Sequence, residues 1–310
     1  MSSMGSRSHP SGDGLTKPTP VGLAEMSPSM SPISAEPQFE PWTDPRTGRF
    51  GQLLDDLENL WKARYVVSNL VRQELRVRYQ RSSLGFLWSL LNPLMLMSMM
   101  SLVFSQVFQL RVTDYALYLF AGMLPWTFFS LSINESSTSL IANECLIRKV
   151  PLPKAVFPLA RVLINLTTLL LSLTAFSVLF LALGARPSWA ILSLPLVLAL
   201  LTLFTLGMGL TAAILNTFFR DFGHIIGVLL QALYFLTPIL YTPAMLPESS
   251  RWKFWLNPLY SYITSCQQIL HDGQWPGIPE LLVGAILAMA SLVLGYLIFK
   301  TNEAKVVFRL

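Results

Sequence analysis

Long uncharged stretches alternate with short charged segments along most of this chain. A membrane-spanning helix needs roughly 20 apolar residues, because each residue adds about 1.5 Å along the helix axis. Uncharged stretches of this length recur, and several carry prolines that a helix bundle tolerates; the fifth is expected to break around Pro238 and Pro243. We predict an all-α membrane protein with six transmembrane helices, near residues 82–110, 115–134, 162–185, 190–215, 225–247 and 281–299.

The region before the first span has a different pattern. Within 51–80, leucine and valine recur at three- and four-residue spacing, with arginines largely between them. This pattern predicts an amphipathic interface helix lying in the headgroup plane. Packing on a soluble partner is the alternative. The residues that favour the membrane surface are Trp61, Arg72, Arg76 and Arg78.

Three segments follow from these patterns. Residues 1–50 are rich in Ser, Pro and Gly and lack periodic apolar positions, so we predict a disordered N-terminal tail. Residues 51–80 form the interface helix, and 81–310 form the six-span transmembrane domain. Between the fifth and sixth spans, Tyr241 to Pro279 combines prolines with Trp and Tyr. This composition favours short re-entrant helices at the outer leaflet.

Composition and charge support membrane residence. Hydrophobic residues make up 53% of the chain and charged residues only 13%, against about 25% charged in soluble domains. The net charge of +5 comes from Lys and Arg beside the spans, where they set orientation, and we do not predict nucleic-acid binding. Most of them belong to the side that holds the N-terminus. We therefore predict a multi-pass protein of the bacterial cytoplasmic (inner) membrane with both termini in the cytoplasm.

The chain carries no recognisable catalytic motif. It has no G-x-x-x-x-G-K-[ST] phosphate-binding loop, and its histidines, His9, His224 and His271, lack the spacing of metal ligands. We predict no catalytic residue, no metal site and no cofactor in this chain. A membrane-embedded lipid-sugar transferase, which would need grouped carboxylates or histidines, is the less favoured alternative. Arg161 lies near the cytoplasmic end of the third span, where its side chain can reach water. Without central carboxylates, an ion gradient is a poor energy source for transport.

An ordered series of short motifs resembles the ABC transporter permeases that export polysaccharides. Residues 79–85 and 88–93 (YQRSSLG and WSLLNP) resemble the start of the first span in that family, and 120–126 (FAGMLPW) resembles its second. The segments 147–153 (IRKVPLP), 219–222 (FRDF), 237–241 (TPILY) and 256–259 (LNPL) continue the series. The resemblance covers roughly residues 53–310, and its order makes it more specific than any single motif.

The resemblance implies a permease subunit that pairs as a homodimer and binds two copies of a cytoplasmic ATPase subunit, which holds ATP and Mg. The implied cargo is a lipid-linked glycan such as O-antigen, teichoic acid, capsule or galactan. A similar architecture moving drugs or lipids is the alternative. The residues expected to contact the ATPase are those of a coupling loop and a smaller second turn: Asn143, Glu144, Arg148, Lys149, Pro151, Arg220 and Asp221.

Aromatic residues of the first two spans are candidates for a glycan channel. Sugar rings can stack on aromatic side chains, so a polymer could slide past such rings without a deep binding site. Contact with lipid is the alternative role for each. The channel candidates are Trp88, Phe104, Phe108, Tyr115, Tyr118 and Trp126.

Overall fold

The computed structural model describes residues 49–80, 87–182, 188–245 and 247–310, and every regular element in these ranges is helical. Residues Leu53–Leu310 form one unit by their mutual contacts. The α-helices are α1 (Arg49–Lys62), α2 (Arg64–Gln80), α3 (Leu87–Phe108), α4 (Val112–Ala142), α5 (Glu144–Lys149), α6 (Val156–Ala182), α7 (Leu194–Phe218), α8 (Phe222–Leu236), α9 (Glu248–Arg251), α10 (Tyr260–Leu270) and α11 (Ile278–Arg309). The predicted disordered tail, 1–50, lies outside the described residues except for the start of α1.

The predicted interface helix is two helices rather than one. α1 ends at Lys62 and α2 begins at Arg64, with a turn at Ala63. Ala63 and Val67 are buried in a small cluster with Val156 and Ala160 of α6. The turn is stabilised by Arg64, whose guanidinium donates a hydrogen bond to the Trp61 carbonyl oxygen at 3.1 Å. Contact with α6 therefore interrupts a pattern that the sequence presents as continuous.

Four helical segments among the described residues are long and apolar enough to cross a membrane: α4, α6, Trp189–Phe218 and α11. They match the second, third, fourth and sixth predicted spans. At the positions of the first and fifth spans lie shorter apolar helices, Met95–Phe108 within α3 and Phe222–Leu236, which is α8. The 15 residues of α8 extend about 22 Å, less than the roughly 30 Å of a hydrocarbon core. The count of six stays a prediction.

Proline divides the segment after α8 into short pieces. α8 ends at Leu236, two residues before Pro238, where the sequence predicts a break. Three short helical pieces then precede α10: the 3-10 helix Pro243–Met245, α9, and the 3-10 helix Trp252–Leu256. Short helices thus occupy the predicted region, while their depth in a membrane stays a prediction.

α4 is the central helix of the described fold. In its most apolar part 78% of the residues are buried, against 17% in α11, which lies at the edge along α7. α4 contacts α3, α6, α7, α8 and α10. Its 31 residues span about 46 Å, which is longer than the hydrocarbon core. α4 therefore reaches beyond the predicted second span and leads directly into α5.

Candidate functional site

The candidate coupling loop is a short helix, α5, attached to the end of α4. Asn143 forms the junction, and its side-chain amide donates a hydrogen bond to the Ser139 carbonyl oxygen at 2.7 Å. On α5, Glu144 and Arg148 form an ion pair of 2.9 Å one helical turn apart. The side chains of Arg148, Lys149 and Pro151 are exposed. The predicted coupling residues of this loop thus present charge on an accessible short helix.

Apolar residues hold α5 against the rest of the protein, with Ile147 buried and Leu146 partly buried. Ile147 is buried and lies in a cluster with residues of α6, α7 and α11. The buried members of this cluster are Leu140, Ile147, Phe157, Leu210, Ala213, Ile214, Phe299 and Val306. Protein interiors are close-packed, so a displacement of α5 is passed into the cluster that Ile147 shares with residues of α4, α6, α7 and α11. The polar face of α5 stays free for a partner.

The second predicted contact, Arg220 and Asp221, lies in the turn between α7 and α8. Both residues are exposed, and the neighbouring Phe219 is 68% exposed. Asn216 fixes this turn, since its Oδ1 accepts a hydrogen bond from the Gly223 backbone N–H at 2.8 Å. Its Nδ2 donates to the Ser137 carbonyl oxygen at 3.0 Å, which joins α7 to α4. Asn216 is not among the predicted contacts, although an asparagine at the end of an apolar span is a visible signal.

A polar cleft separates α2 from α6. Its volume is about 110 Å³, and its polar lining comes from Gln73, Glu74, Asn143 and Arg161. Arg161 forms an ion pair with Glu74 of α2 at 3.3 Å, a partner that the sequence does not predict. Both side chains are partly exposed, at 23% and 39%. The pair attaches α2 to α6 close to Asn143, at the start of α5.

The predicted interface residues lie mainly on the outer face of α1 and α2. Trp61 is 68% exposed, and Arg72 and Arg76 are exposed. The guanidinium of Arg64 lies over the rings of Trp61 and Tyr65, at 5.1 Å and 4.5 Å from their centroids. Exposed aromatic rings beside cations are typical of a headgroup surface. The side chains of Arg78 and Trp88 lie outside the described part of the chain.

The channel candidates of α4 are covered by other parts of the same chain. Tyr115, Tyr118 and Trp126 are buried, at 2%, 8% and 7% exposure. The Trp126 ring lies 5.4 Å from the Tyr234 ring. Phe104 and Phe108 of α3 are partly buried against the same core. In this conformation, a channel role requires α4 to become accessible, and that role stays a prediction.

The tyrosine hydroxyls of α4 instead hold the segment that follows α8. Tyr115 donates a hydrogen bond to the Leu240 carbonyl oxygen at 2.7 Å. The Tyr118 hydroxyl lies 3.0 Å from the carbonyl oxygens of both Pro238 and Tyr241. Because Pro238 interrupts the helix, these carbonyls need partners outside it. The two tyrosines therefore fix the prolyl segment to the central helix.

Two further side chains complete this attachment. Asn257 donates a hydrogen bond to the Thr237 hydroxyl at 2.7 Å, and its Oδ1 accepts one from the Leu259 backbone N–H at 3.0 Å. Gln267 of α10 donates to the Pro238 carbonyl oxygen at 3.1 Å. Two of the sequence motifs, 237–241 and 256–259, are thus hydrogen-bonded to each other. The polar residues of these two motifs therefore hold the segment after α8 in place. The order of the motifs along the sequence does not reveal this role.

No group of three His, Cys, Asp or Glu side chains that could hold a metal ion occurs among the residues that the structure describes. The two cysteines are both free thiols. Cys145 is exposed on α5, and Cys266 is buried in α10. The exposed thiol provides a natural labelling position on α5.

The comparisons with known proteins agree with this arrangement. The family model of the ABC-2 type transporter matches residues 65–271. An O-antigen export system permease protein, RfbA, of Myxococcus xanthus is 33% identical over 249 residues, covering 80% of this chain and 96% of that protein. RfbA of Klebsiella pneumoniae is 32% identical over 205 residues, covering 66% and 79% respectively. The polysialic acid transport protein KpsM of Escherichia coli is 24% identical over 243 residues, covering 76% and 93%.

The family match extends over more than half of the chain and includes both candidate ATPase contacts, α5 and the turn at Arg220. The similarity to the Myxococcus protein covers nearly all of that relative. The same region contains the central helix α4 and the hydrogen-bonded segment after α8. This chain belongs to the ABC-2 type transporter family.

Proposed function

We propose that this chain is the permease subunit of an ATP-driven exporter that moves a lipid-linked polysaccharide across the bacterial cytoplasmic membrane. The observation that carries the proposal is the similarity to an O-antigen export permease over 96% of that relative's length. The lower similarity to a polysialic acid transport protein points to the same broad class of cargo. O-antigen, capsule, teichoic acid and galactan are all polymers of this class.

The energy for export comes from a separate ATPase subunit in this proposal. The chain has no phosphate-binding loop in its sequence, so ATP and Mg would be held by the partner. The exposed charges of α5 and of the turn at Arg220 and Asp221 supply a surface for docking. The permease acts as a homodimer with two ATPase copies. Both termini then face the cytoplasm, on the same side as α5.

ATP hydrolysis would act through displacement of α5. Since Ile147 belongs to a buried cluster with residues of α6, α7 and α11, a push on α5 reaches these helices through the cluster. ATP is hydrolysed in the partner subunit. The resulting movement of α5 opens a path for the cargo through this chain. Aromatic residues of α3 and α4, once accessible, provide faces on which sugar rings can stack while their hydroxyl groups meet water.

A drug or lipid exporter of similar architecture is the second candidate function. The family match alone fits that cargo equally well, because it names the transporter type and no substrate. The polysaccharide cargo is favoured by the three relatives, whose names specify O-antigen or polysialic acid. Competition between the two cargo classes in one transport assay separates the candidates.

The test is reconstitution of this chain with its ATPase subunit in proteoliposomes. We expect ATP-dependent movement of a fluorescent lipid-linked glycan and no movement of a common phospholipid or a lipophilic dye. The exposed Cys145 thiol adds an independent measurement, because docking should protect it from a maleimide while Cys266 stays unlabelled throughout. Unprotected Cys145 in a complex that still hydrolyses ATP contradicts the docking surface. Transport of dye but not glycan contradicts the cargo.

A further inference from the structure

The C-terminal part of α11 is attached to α1 by a partly buried polar cluster. Asp56 Oδ2 accepts a hydrogen bond from the Tyr296 hydroxyl at 2.6 Å. Asp56 Oδ1 lies 2.6 Å from Lys300 Nζ, and the two charged side chains are only 22% and 30% exposed. Both carboxylate oxygens therefore have a partner on α11. A charge-assisted, partly desolvated arrangement of this kind holds its geometry better than an exposed ion pair.

The same part of α11 is attached to the segment that joins α5 to α6. Lys154 Nζ donates a hydrogen bond to the Glu303 backbone carbonyl oxygen at 2.7 Å. The Lys154 backbone N–H donates to Glu303 Oε1 at 3.2 Å. Burial lowers the pKa of the Lys154 ammonium, and the nearby Glu303 carboxylate opposes this shift. Lys154 is thus held at both its main chain and its side chain.

Apolar contacts reinforce this second attachment. Phe299 and Val306 of α11 are buried in the cluster that contains Ile147 of α5. Tyr296, Lys300 and Glu303 follow at four- and three-residue spacing, so their side chains share one face of the helix. The helix is continuous from Ile278 to Arg309. A single rigid segment therefore contacts the interface helix, the coupling loop and the core between them.

We propose that the α11 segment from Tyr296 to Val306 is a mechanical link that passes ATP-driven displacement of the coupling loop to α1. Its positioning residues are Asp56, Lys154, Lys300 and Glu303. The inference rests on the proposed function, because it requires an ATPase that moves α5. Asp56, Lys300 and Glu303 lie outside the region 65–271 that the family model matches.

The link makes α1 a moving part of the transport cycle. A second attachment lies just after α1, where Ala63 in the turn and Val67 in α2 pack against α6. With both attachments present, displacement of α5 shifts α1 and α6 together. With Asp56 removed, α5 can still move and the ATPase can still turn over, while α1 no longer follows. Loss of the link should therefore uncouple hydrolysis from export without stopping hydrolysis.

The experiment compares Asp56→Ala, Lys300→Ala and the exchanged pair Asp56→Lys with Lys300→Asp, each as full chain with its ATPase in proteoliposomes. The readout is glycan exported per ATP hydrolysed. We expect either single change to lower this ratio by about fivefold or more, with hydrolysis kept, and the exchanged pair to restore most of it. Matched controls are Glu58→Ala, which removes an exposed ion pair within α1, and Lys305→Ala, which removes an exposed charge on α11. Both controls should keep the wild-type ratio.

A distance measurement keeps the proposal testable if a variant is less stable. Spin labels at Cys145 on α5 and at Asp55→Cys on α1 report the separation of the two elements with and without a trapped nucleotide. We expect a nucleotide-dependent change in the wild-type background and none in Asp56→Ala. An unchanged export ratio in every variant, with an unchanged distance response, overturns the link and leaves the proposed function intact. A wild-type complex that hydrolyses ATP without exporting glycan overturns the proposed function itself.

Discussion

Gly295 of α11 lies directly against the Gly207 carbonyl group of α7, and a Cβ at either position would overlap main-chain atoms of the other helix. The Ser291 hydroxyl donates a hydrogen bond to the Phe204 carbonyl oxygen at 2.9 Å one turn away. Close approach of two backbones through small residues is a common way to join helices in a membrane. This crossing sets the position of α11, and with it the position of the link to α1.

We predict that Gly207→Ala lowers thermal stability. The added methyl group would overlap the Ser291 main chain, which cannot move away as a flexible side chain can. Overpacking of this kind costs about 1–3 kcal/mol. Gly227→Ala is the matched control, since nothing lies within 4 Å of its added Cβ. The measurement is the melting temperature in detergent by size-exclusion chromatography. Equal melting of the two variants would show that the helices can separate freely.

We predict that Tyr118→Phe loosens the prolyl segment after α8. The substitution keeps the ring and removes the hydroxyl that lies 3.0 Å from two carbonyl oxygens. A buried group left without its partner costs about 1–3 kcal/mol. Hydrogen exchange should increase at Ile239 and Leu240, while Tyr65→Phe, at a ring that is 67% exposed, should leave it unchanged. Faster exchange in the control as well would point to a global effect.

We predict that Arg148→Glu with Lys149→Glu weakens binding of the ATPase by about tenfold or more, since both charges are exposed on α5. The control pair Glu144→Arg with Arg148→Glu reverses both ends of the ion pair and keeps its attraction within α5. Because this control keeps both the ion pair and the net charge of α5, weaker binding in it would point to the positions of the charges rather than to a less stable helix. Co-purification of the two subunits is the measurement. Full binding by the first variant contradicts the coupling role of α5.

We predict that Asn216→Ala is less stable than wild type by about 1–3 kcal/mol, because it leaves the Ser137 carbonyl oxygen and the Gly223 N–H without that partner. Asn216→Asp keeps the acceptor for Gly223 and loses the donor to Ser137, so an intermediate melting temperature is expected. Asn302→Ala is the control, since Asn302 donates within its own helix. If both Asn216 variants melt like wild type, the turn at Arg220 does not depend on this side chain.

We predict that Trp88→Ala and Trp126→Ala slow glycan export by about two- to tenfold, the range of an aromatic contact, while the complex still assembles. Trp189→Ala is the control, because Trp189 is 81% exposed and lies outside the candidate channel. For Trp126, the comparison with Trp126→Phe separates stacking from core volume. Wild-type export at equal expression in both alanine variants argues against a channel role.

Much of the helical plan follows from periodicity and length. The uncharged stretches predict α4, α6, α7 and α11, and Pro238 predicts the end of α8 at Leu236. The continuous pattern over 51–80 misses the turn at Ala63, because a turn made by packing on α6 leaves the spacing of apolar residues unchanged. The motifs alone predict the family and the exposed coupling loop. Asn216 escapes the sequence analysis because its two partners, Ser137 and Gly223, belong to different helices.

Residue order is enough to establish a multi-helix membrane protein of this transporter family, since hydropathy and ordered motifs are local properties of a chain. The contacts and the exposure of each side chain, in contrast, depend on the whole fold. Because the spans are apolar on every face, the sequence does not show which side of each helix faces a neighbouring helix. Only the folded chain places the Tyr118 hydroxyl at Pro238 or Arg161 at Glu74. The contact between Asp56 and Lys300 joins residues far apart in the chain. Such a pair is set by how helices cross, and the physical reason is that two charges leave water together only where the fold brings them into contact.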